Sequence, residues 1–548
     1  MRQGSKLAWL LALVLFAAAC SGGGEGVEGE GLEDGGGGGT EAGAAGTEAS
    51  GGTGGGTLVA AISSQPDQLD PHKTTAYASF QVLENVYDTL VVPNTDLEFE
   101  PSLATEWATS DDNLTWTFTL RDDVTFHDGS TFDSADVAYS FNRIISQELA
   151  NAFRFASVKE IRTPDPQTVE IELTEPTPNL LANIGGFKGM AIIPEGIAGP
   201  VSGGDGGGGS EAASPSPGGS GADINLANEA VGTGPFALES VAADGITLSA
   251  FQDYWGEGPN VDGVEFRFIS EPTTALTELQ TGNVHWTDNI PPQRITELAN
   301  NDEVTLETIP SVDYWYWATN FNREPFGNPK VREALSYAID REAITQAAKF
   351  DAATVNQTAI PETSFWSTDY SPYSHDPERA QQLLEEAGVS NLSMGLMVTD
   401  EFPETVTAAE VIASQLGEVG INVEIQSETF ATWLDRQGKG DFDAFMLGWL
   451  GNLDPFGYYH SQHLCEGSNN YQGYCNEEVD KLLQQAATQT DQDQRKQLYD
   501  EAVKLIVDDN SYMYLYNPDV AQAWKPGLSG YTIRPDKAIN FEQVELPQ

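Results

Sequence analysis

The sequence predicts a mixed α/β fold in one large body. Strand-like runs rich in β-branched and aromatic residues alternate with amphipathic helical runs along the chain, and this alternation favours sheets covered by helices. Hydrophobic residues make up 40% of the 548 residues and aromatic residues 10%, so the chain can bury large cores. The net charge of −57 argues against a nucleic-acid partner, because phosphate contacts need clustered Lys and Arg.

The N-terminal residues 1–19 resemble an export signal. Two basic residues precede thirteen apolar ones, a stretch too short to span a bilayer as a helix. Three alanines then precede Cys20, which resembles the lipid-attachment cysteine of a bacterial lipobox; the alternative is an ordinary secretory signal with a bystander cysteine. We expect the glycine-rich residues 20–56 to form a disordered tether that holds the mature protein on the outer, periplasmic face of the cell membrane.

Nine runs rich in β-branched and aromatic residues are predicted to form strands. They cover residues 58–62, 115–120, 168–173, 246–251, 264–269, 314–320, 423–427, 444–449 and 512–516. Four helices are better marked. Asp376-Pro377 and Asn328-Pro329 each place an N-cap before a proline at the first helical position, Asn476 caps a third helix, and residues 495–507 carry a fourth apolar stripe.

Seven stretches, spread over nearly the whole mature chain, carry a family pattern. They are SSQPDQLDPH (63–72), LTWTFTLRDDVTFHDGSTFDSADVAYSFNRI (114–144), VGTGPFALESV (231–241), GNPKVREALSYAIDREAI (327–344), HDPERAQQLLEEAG (375–388), DFDAFMLGWLGNLDP (441–455) and YCNEEVDKLLQQA (474–486). Together they resemble the extracytoplasmic solute-binding proteins of ABC importers, specifically the peptide/nickel-binding family, solute-binding protein family 5. The resemblance implies a two-lobed, periplasmic-binding-protein-like fold of type II, with an extra subdomain on the first lobe.

The same resemblance implies a division of the chain into lobes joined by hinge strands. Lobe I is expected at 57–95, 223–310 and 518–548, its extra subdomain at 96–198, a disordered Gly/Ser/Pro-rich insert at 199–222, and lobe II at 311–517. A ligand would be trapped between the lobes as they close.

The function implied is that of the substrate-binding component of an ABC importer. Such a protein captures a solute and delivers it to the membrane permease subunits, and needs no catalytic residue and no cofactor; we expect a monomer. Di- or oligopeptides are the favoured ligands, with oligosaccharides and metal chelates as alternatives. A secreted, lipid-anchored hydrolase is a remote alternative, because the sequence has neither a Gly-x-Ser-x-Gly elbow nor a His-Glu-x-x-His motif. A sensor without a transporter is a further one.

The loop that follows the predicted strand 444–449 is the main candidate for the ligand site. In relatives, the loop that begins at Gly448 and Trp449 and continues through Leu450 lies at the lobe interface, where its backbone pairs with an extended peptide. An Asp that neutralises the peptide ammonium often follows, but that position holds Asn452 here. Asp454 could take over the role, Asn452 could instead accept neutral groups, and Asp454 could simply belong to a turn.

Aromatic residues supply further candidates. In the run 314–317, alternate residues face opposite sides of a strand, so one pair is expected in the core while the other, Trp315 and Trp317, can line the cleft and stack on the ligand; a purely aromatic core is the alternative. Asn320 resembles a family position near the hinge, and Tyr77 is a weaker cleft candidate.

Two cysteines remain once Cys20 is assigned to lipid. Outside the membrane, Cys465 and Cys475 are expected to form a disulfide. His460 and His463 lie close by in sequence, so a zinc site is the alternative, although the spacing is not a standard one. The prediction is a disulfide and no metal.

Overall fold

The computed structural model describes residues 55–186, 188–201 and 225–547. The predicted signal, Cys20, most of the tether and most of the Gly/Ser/Pro-rich insert lie outside these residues. Within them, no helix is both long enough and apolar enough to cross a membrane.

The described residues alternate between strands and helices. The strands are β1 Thr57–Ile62, β2 Val91–Pro93, β3 Phe99–Pro101, β4 Ala104–Thr109, β5 Thr115–Leu120, β6 Val158–Asp165, β7 Thr168–Leu173, β8 Phe236–Val241, β9 Gly245–Ala250, β10 Gly263–Phe268, β11 Trp286–Thr287, β12 Thr305–Pro310, β13 Tyr314–Thr319, β14 Ala353–Val355, β15 Ser393–Thr399, β16 Asn422–Glu428, β17 Ala444–Trp449 and β18 Met513–Trp524. The α-helices are α1 Tyr77–Leu83, α2 Ser134–Ser146, α3 Leu180–Gly185, α4 Pro272–Thr281, α5 Ile295–Leu298, α6 Pro329–Ala338, α7 Arg341–Lys349, α8 Pro377–Glu386, α9 Pro403–Glu418, α10 Phe430–Lys439, α11 Pro455–His463, α12 Glu477–Thr488 and α13 Gln492–Asp508. The predicted α/β class is confirmed.

One sheet of twelve strands runs through both lobes. Its order is β16-β15-β17-β13-β18-β11-β1-β10-β9-β8, and β12 and β14 also pair with β18. The strands before β18 in this order, together with β14, build lobe II, and those after it, with β12, build lobe I. Strand β18 belongs to both lobes, because its first residues pair with β13 and its last residues pair with β11 and β12.

The chain passes between these two halves of the sheet at two neighbouring places, which we call the hinge. One lies between β12 and β13 at residues 311–313, and the other lies within β18 at residues 517–519. The Ser311 N–H donates to the Pro518 carbonyl at 2.9 Å, and the Asn517 side chain donates to the Asp313 carbonyl at 2.7 Å. The two crossings are therefore hydrogen-bonded to each other.

A second sheet, of order β4-β5-β7-β6, lies in the extra subdomain. Helix α2 covers it, capped by Asp133 in a reciprocal capping box with Asp136. Inside α2, Arg143 makes a bidentate ion pair with Asp70 of the lobe I body at 2.9 and 2.6 Å. His72 accepts from Arg143 at 2.9 Å and bonds the Ala191 carbonyl at 2.8 Å. This buried cluster fastens the subdomain to lobe I.

Several predicted boundaries match the structure. Strands β5, β7 and β17 have the predicted bounds, and Asp376, Asn328 and Asn476 cap helices α8, α6 and α12. The fourth helix begins earlier than predicted, at Gln492, because Asp491 caps it. The last predicted strand is also longer, since β18 continues past residue 516 to Trp524.

The predicted disulfide is present, with 2.07 Å between the sulfurs of Cys465 and Cys475. The neighbouring histidines are used inside lobe II. His460 bonds the Tyr499 hydroxyl at 3.1 Å, and His463 bonds Ser511 and Tyr514 at 2.9 and 3.0 Å. Burial lowers the pKa of each histidine to about 3, so both are neutral at physiological pH.

Candidate ligand-binding site

The loop between β17 and α11, residues 450–454, is fixed to the hinge. The Gly451 N–H donates to the Asp313 carboxylate at 3.0 Å, and a side chain at Gly451 would overlap the Val312 carbonyl oxygen, so glycine permits this approach. The Tyr458 hydroxyl at the start of α11 donates to the same Val312 oxygen at 2.7 Å. The loop therefore stands at the end of the lobe II sheet that faces lobe I.

Asp454 has a different role from the predicted one. Its carboxylate caps α11 by accepting from the Phe456 N–H at 2.9 Å, and it makes a bidentate ion pair with Arg495 at 2.6 and 2.7 Å. Both charged side chains are buried. The suggestion that Asp454 swings towards a ligand ammonium is therefore wrong for this arrangement, because the carboxylate is engaged inside lobe II.

The two other predicted loop residues differ in exposure. Leu450 is exposed, with 49% of its surface accessible. Asn452 is half-buried and lies against the helix, since a side chain at Gly457 would overlap the Asn452 amide. Leu450 is thus the loop side chain that is most open to solvent.

Trp449 is held from inside lobe II. The side-chain amide oxygen of Gln462, on α11, accepts from the Trp449 indole N–H at 3.1 Å and from the Tyr314 hydroxyl at 3.2 Å. Gln462 itself is fully buried. The Trp449 ring is half-buried and packs against the lobe II core, so its orientation at the sheet end is fixed by a hydrogen bond as well as by packing.

Trp315 lies on the opposite face of the sheet from Trp449. Tyr314 is directly across the ladder from Trp449, and Trp315 is across from Gly448; partners in an antiparallel ladder share a face, and consecutive residues alternate. The Trp315 ring covers Gly448, where an added Cβ would come within 2.6 Å of it. The two tryptophans therefore do not form one continuous wall.

Two of the predicted cleft residues are structural. Trp317 is 0% exposed and belongs to the core, because helices cover both faces of the lobe II sheet, so the predicted cleft role is wrong. Asn320 is 4% exposed and donates to the carbonyls of Gly440 and Phe442 at 3.1 and 3.2 Å. It follows the end of β13 that is distant from the hinge, roughly 20 Å away at 3.3 Å per residue, so its predicted position near the hinge is also wrong.

Tyr77, at the start of α1, does lie near the hinge on the lobe I side. Its hydroxyl is 3.4 Å from Asp288 and donates to the Lys537 carbonyl at 3.3 Å. The Lys537 ammonium in turn pairs with Asp313. Burial raises the pKa of Asp288 to about 6. A polar network thus connects lobe I to the hinge residue that holds the loop.

A cavity of about 190 Å³ opens on the lobe I side, where the lobe body, the subdomain and the C-terminal segment meet. Its charged lining residues are Glu84, Asp88, Arg534, Asp536 and Glu542. Gly186 of the subdomain also lines it, and a Cβ there would come within 3.1 Å of the Leu453 side chain of the loop. The cavity therefore borders the place where the lobe II loop meets lobe I.

The family model of bacterial extracellular solute-binding proteins, family 5, matches residues 98–470. The match spans more than half of the chain. The chain belongs to this family.

Relatives of the family 5 protein cover nearly all of it. The glutathione-binding protein GsiB of Salmonella paratyphi A is 29% identical over 507 residues, which span 89% of this chain and 94% of the relative. The periplasmic binding protein DppA of Helicobacter pylori, solved in complex with the peptide STSA, is 25% identical, with a TM-score of 0.73 over 90% of this chain and 99% of the other. A dipeptide-binding protein of Pseudoalteromonas sp. SM9913, solved with Met-Leu, is 25% identical, with a TM-score of 0.72 over 89% and 99%.

The family 5 protein is therefore a solute-binding component of an ABC importer and not an enzyme. It has the two-lobed fold that its sequence predicts, and it acts outside the cytoplasm.

Three residues that position the site were not found from sequence. Asp313 anchors the loop, Gln462 anchors Trp449, and Lys537 reaches Asp313 from the C-terminal segment. Asp313 could have been found from sequence, because it directly precedes the aromatic run 314–317 at the predicted lobe boundary. A polar residue on the buried face of α11 becomes visible only once the helix is packed, and Lys537 has no local pattern.

Proposed function

We propose that the protein captures a di- or oligopeptide-like solute between its lobes and delivers it to ABC permease subunits. The observation that carries the proposal is an open backbone edge at the site. Strand β17 pairs with β13 over its whole length, but with β15 only through Ala444 and Phe445. Among the described strands, none pairs with residues 446–449 on that edge. Met446 and Leu447 are buried, so the part of the edge that a ligand can reach is Gly448 and Trp449, which are partly exposed.

An open strand edge suits a peptide because every peptide offers the same N–H and C=O groups. Backbone pairing gives affinity without demanding a sequence, and side-chain contacts then add selectivity. Gly448 and Trp449 lie on this edge, and the exposed Leu450 follows directly. The Trp315 ring packs on Gly448, and we propose that Tyr77 from lobe I and Asn452 from the loop contact the ligand beside this edge.

The relatives support the same ligand class. By their names, GsiB binds glutathione, which is itself a tripeptide, and the two solved relatives hold a tetrapeptide and a dipeptide. Ligand binding shifts the population from open to closed lobes, because contacts to both lobes exist only in the closed state. We propose further that the protein is a monomer, anchored to the outer face of the membrane through lipid on Cys20.

Mass spectrometry of small molecules released by denaturing the purified protein tests the ligand class. Calorimetric titration with three probes, reduced glutathione, Met-Leu and Ala-Ala-Ala, then gives affinities. We expect a released peptide and saturable binding of at least one probe. Release of an oligosaccharide or a metal chelate, with no binding of any peptide, would overturn the proposal.

A further inference from the structure

The cavity on the lobe I side has a lining that favours positive charge. Four of its five charged residues are acids, and Arg534, the single base that lines it, is engaged. The Arg534 guanidinium makes a bidentate pair with Asp536 at 2.9 and 2.6 Å. No free guanidinium is therefore available in this lining to hold a carboxylate or phosphate group of a ligand.

Two of the acids have only neutral partners. Asp88 is 6% exposed and accepts from Thr233 at 2.9 Å and from the Trp255 indole at 3.1 Å. Glu542 is bonded by Tyr254 and Gln543. Within the described part of the chain neither carboxylate has an ion pair. A buried charge without a countercharge is costly, and a cationic group in the cavity would remove that cost.

A buried hydroxyl gives independent evidence that the cavity receives a polar group. Ser102 lines it and is 2% exposed, yet its hydroxyl has no hydrogen-bond partner among the described residues. Buried polar groups in native proteins are nearly always bonded. The Tyr254 ring also lines the cavity, and aromatic faces attract cations. The Trp255 ring, which lines it too, already carries the Arg121 guanidinium at 4.4 Å.

We propose that this cavity binds an ammonium or guanidinium group of the captured solute, so that the transporter prefers cationic peptides. The inference rests on the proposed function, and it names the ligand class that lobe I selects. A volume of about 190 Å³ holds roughly six waters at 30 Å³ each, which is enough for the end of a lysine or arginine side chain. Asp88 and Glu542 supply the countercharge, and Ser102 accepts an N–H.

Calorimetric titration with matched tripeptides tests the inference. Ala-Lys-Ala, Ala-norleucine-Ala and Ala-Glu-Ala differ in the charge of one side chain, and norleucine has the length of lysine without its ammonium. We expect the lysine peptide to bind at least tenfold more tightly than the norleucine peptide. Asp88→Asn should reduce the ratio of the two affinities below threefold. Glu542→Gln changes a less buried position and should also reduce the ratio, so it replaces Asp88→Asn if that variant does not fold. The exposed variant Glu239→Gln should leave the ratio unchanged.

Salt separates the cavity from the general field of this acidic protein. A lysine preference that persists at 0.5 M salt and falls in the Asp88 variant supports the inference, since screening removes long-range attraction first. Equal binding of the lysine and norleucine peptides, or a preference that vanishes at 0.5 M salt, overturns the inference alone. Absence of binding by all three peptides overturns the proposed function and the inference with it.

Discussion

The two lobes meet the cleft with different chemistry. Lobe II presents a backbone edge, Trp449 and Leu450, and the charged pair beneath them, Asp454 with Arg495, is buried and neutralised within the lobe. Lobe I presents carboxylates, of which Asp88 has no ion pair within the described residues. From this difference we propose a division of roles, in which lobe II provides sequence-tolerant backbone pairing and lobe I selects for charge.

Removing Arg495 should leave the buried Asp454 charge without a partner, and we expect this substitution to have the largest effect on stability. In Arg495→Met, Asp454 keeps its charge in a buried place without a partner, so the free energy of unfolding should fall by about 3–5 kcal/mol. Urea denaturation measures this change. Lys481→Met is the matched control, because Lys481 pairs with Glu478 at an exposed site and should cost less than about 1 kcal/mol. Equal effects of the two substitutions would contradict the assignment of Asp454.

Lowering the pH should affect the stability of the two lobes differently, because each lobe buries different titratable groups. Burial lowers the pKa of His460 and His463 in lobe II to about 3, below the 6.5 of an unfolded histidine. As the pH falls from 6.5 to 4.5, the unfolded state therefore binds protons that the folded lobe II does not, and stability is lost. This loss should be on the order of 3 kcal/mol or more.

Lobe I should lose less over the same window. Burial raises the pKa of Asp136 to about 7 and of Asp288 to about 6, so these folded carboxyls take up protons before the unfolded ones, and stability rises as the pH falls. Part of that gain is offset by His72, whose pKa burial lowers to about 4, and by His127 and His285, whose pKa values burial also lowers. Hydrogen exchange at pH 6.5 and 4.5, corrected for intrinsic rates, should show greater loss of protection in α11 than in α2. A larger loss in α2 would contradict this contrast.

The sequence predicts the elements of the fold better than the passage between the lobes. Paired Asx-Pro signals and β-rich runs set the helices and strands locally, as at Asn328-Pro329. The predicted strand ends at residue 516, and the next residues, Asn517-Pro518-Asp519, have a composition that is common in turns. In the structure the segment stays extended, since β14 and β12 pair with it from both lobes, and such long-range pairing is not visible in a local pattern.

The position of the candidate loop was easier to predict from sequence than the roles of its side chains. The Gly448-Trp449 loop lies at the lobe junction, yet the direction of Asp454 depends on Arg495, forty-one residues away in sequence. Trp317 was misassigned because alternation alone does not show that helices cover both faces of a sheet. The cavity around Asp88 combines separate parts of the chain, so no single stretch carries its signal.

Leu450 gives the smallest effect on stability and the sharpest test of the lobe II contribution. Because its side chain is half exposed, Leu450→Ala should change the free energy of unfolding by less than about 0.5 kcal/mol. Burial of a leucine side chain against ligand contributes about 1.5–3 kcal/mol when complete, so partial burial should make the affinity for Ala-norleucine-Ala several-fold weaker. Val241→Ala is the matched control, since Val241 is also exposed, at 46%, on lobe I strand β8. Because the substitution removes apolar contact and no charge, the ratio of the affinities for Ala-Lys-Ala and Ala-norleucine-Ala should stay constant. A changed ratio would mean that both lobes, and not lobe I alone, select for the charge of the ligand.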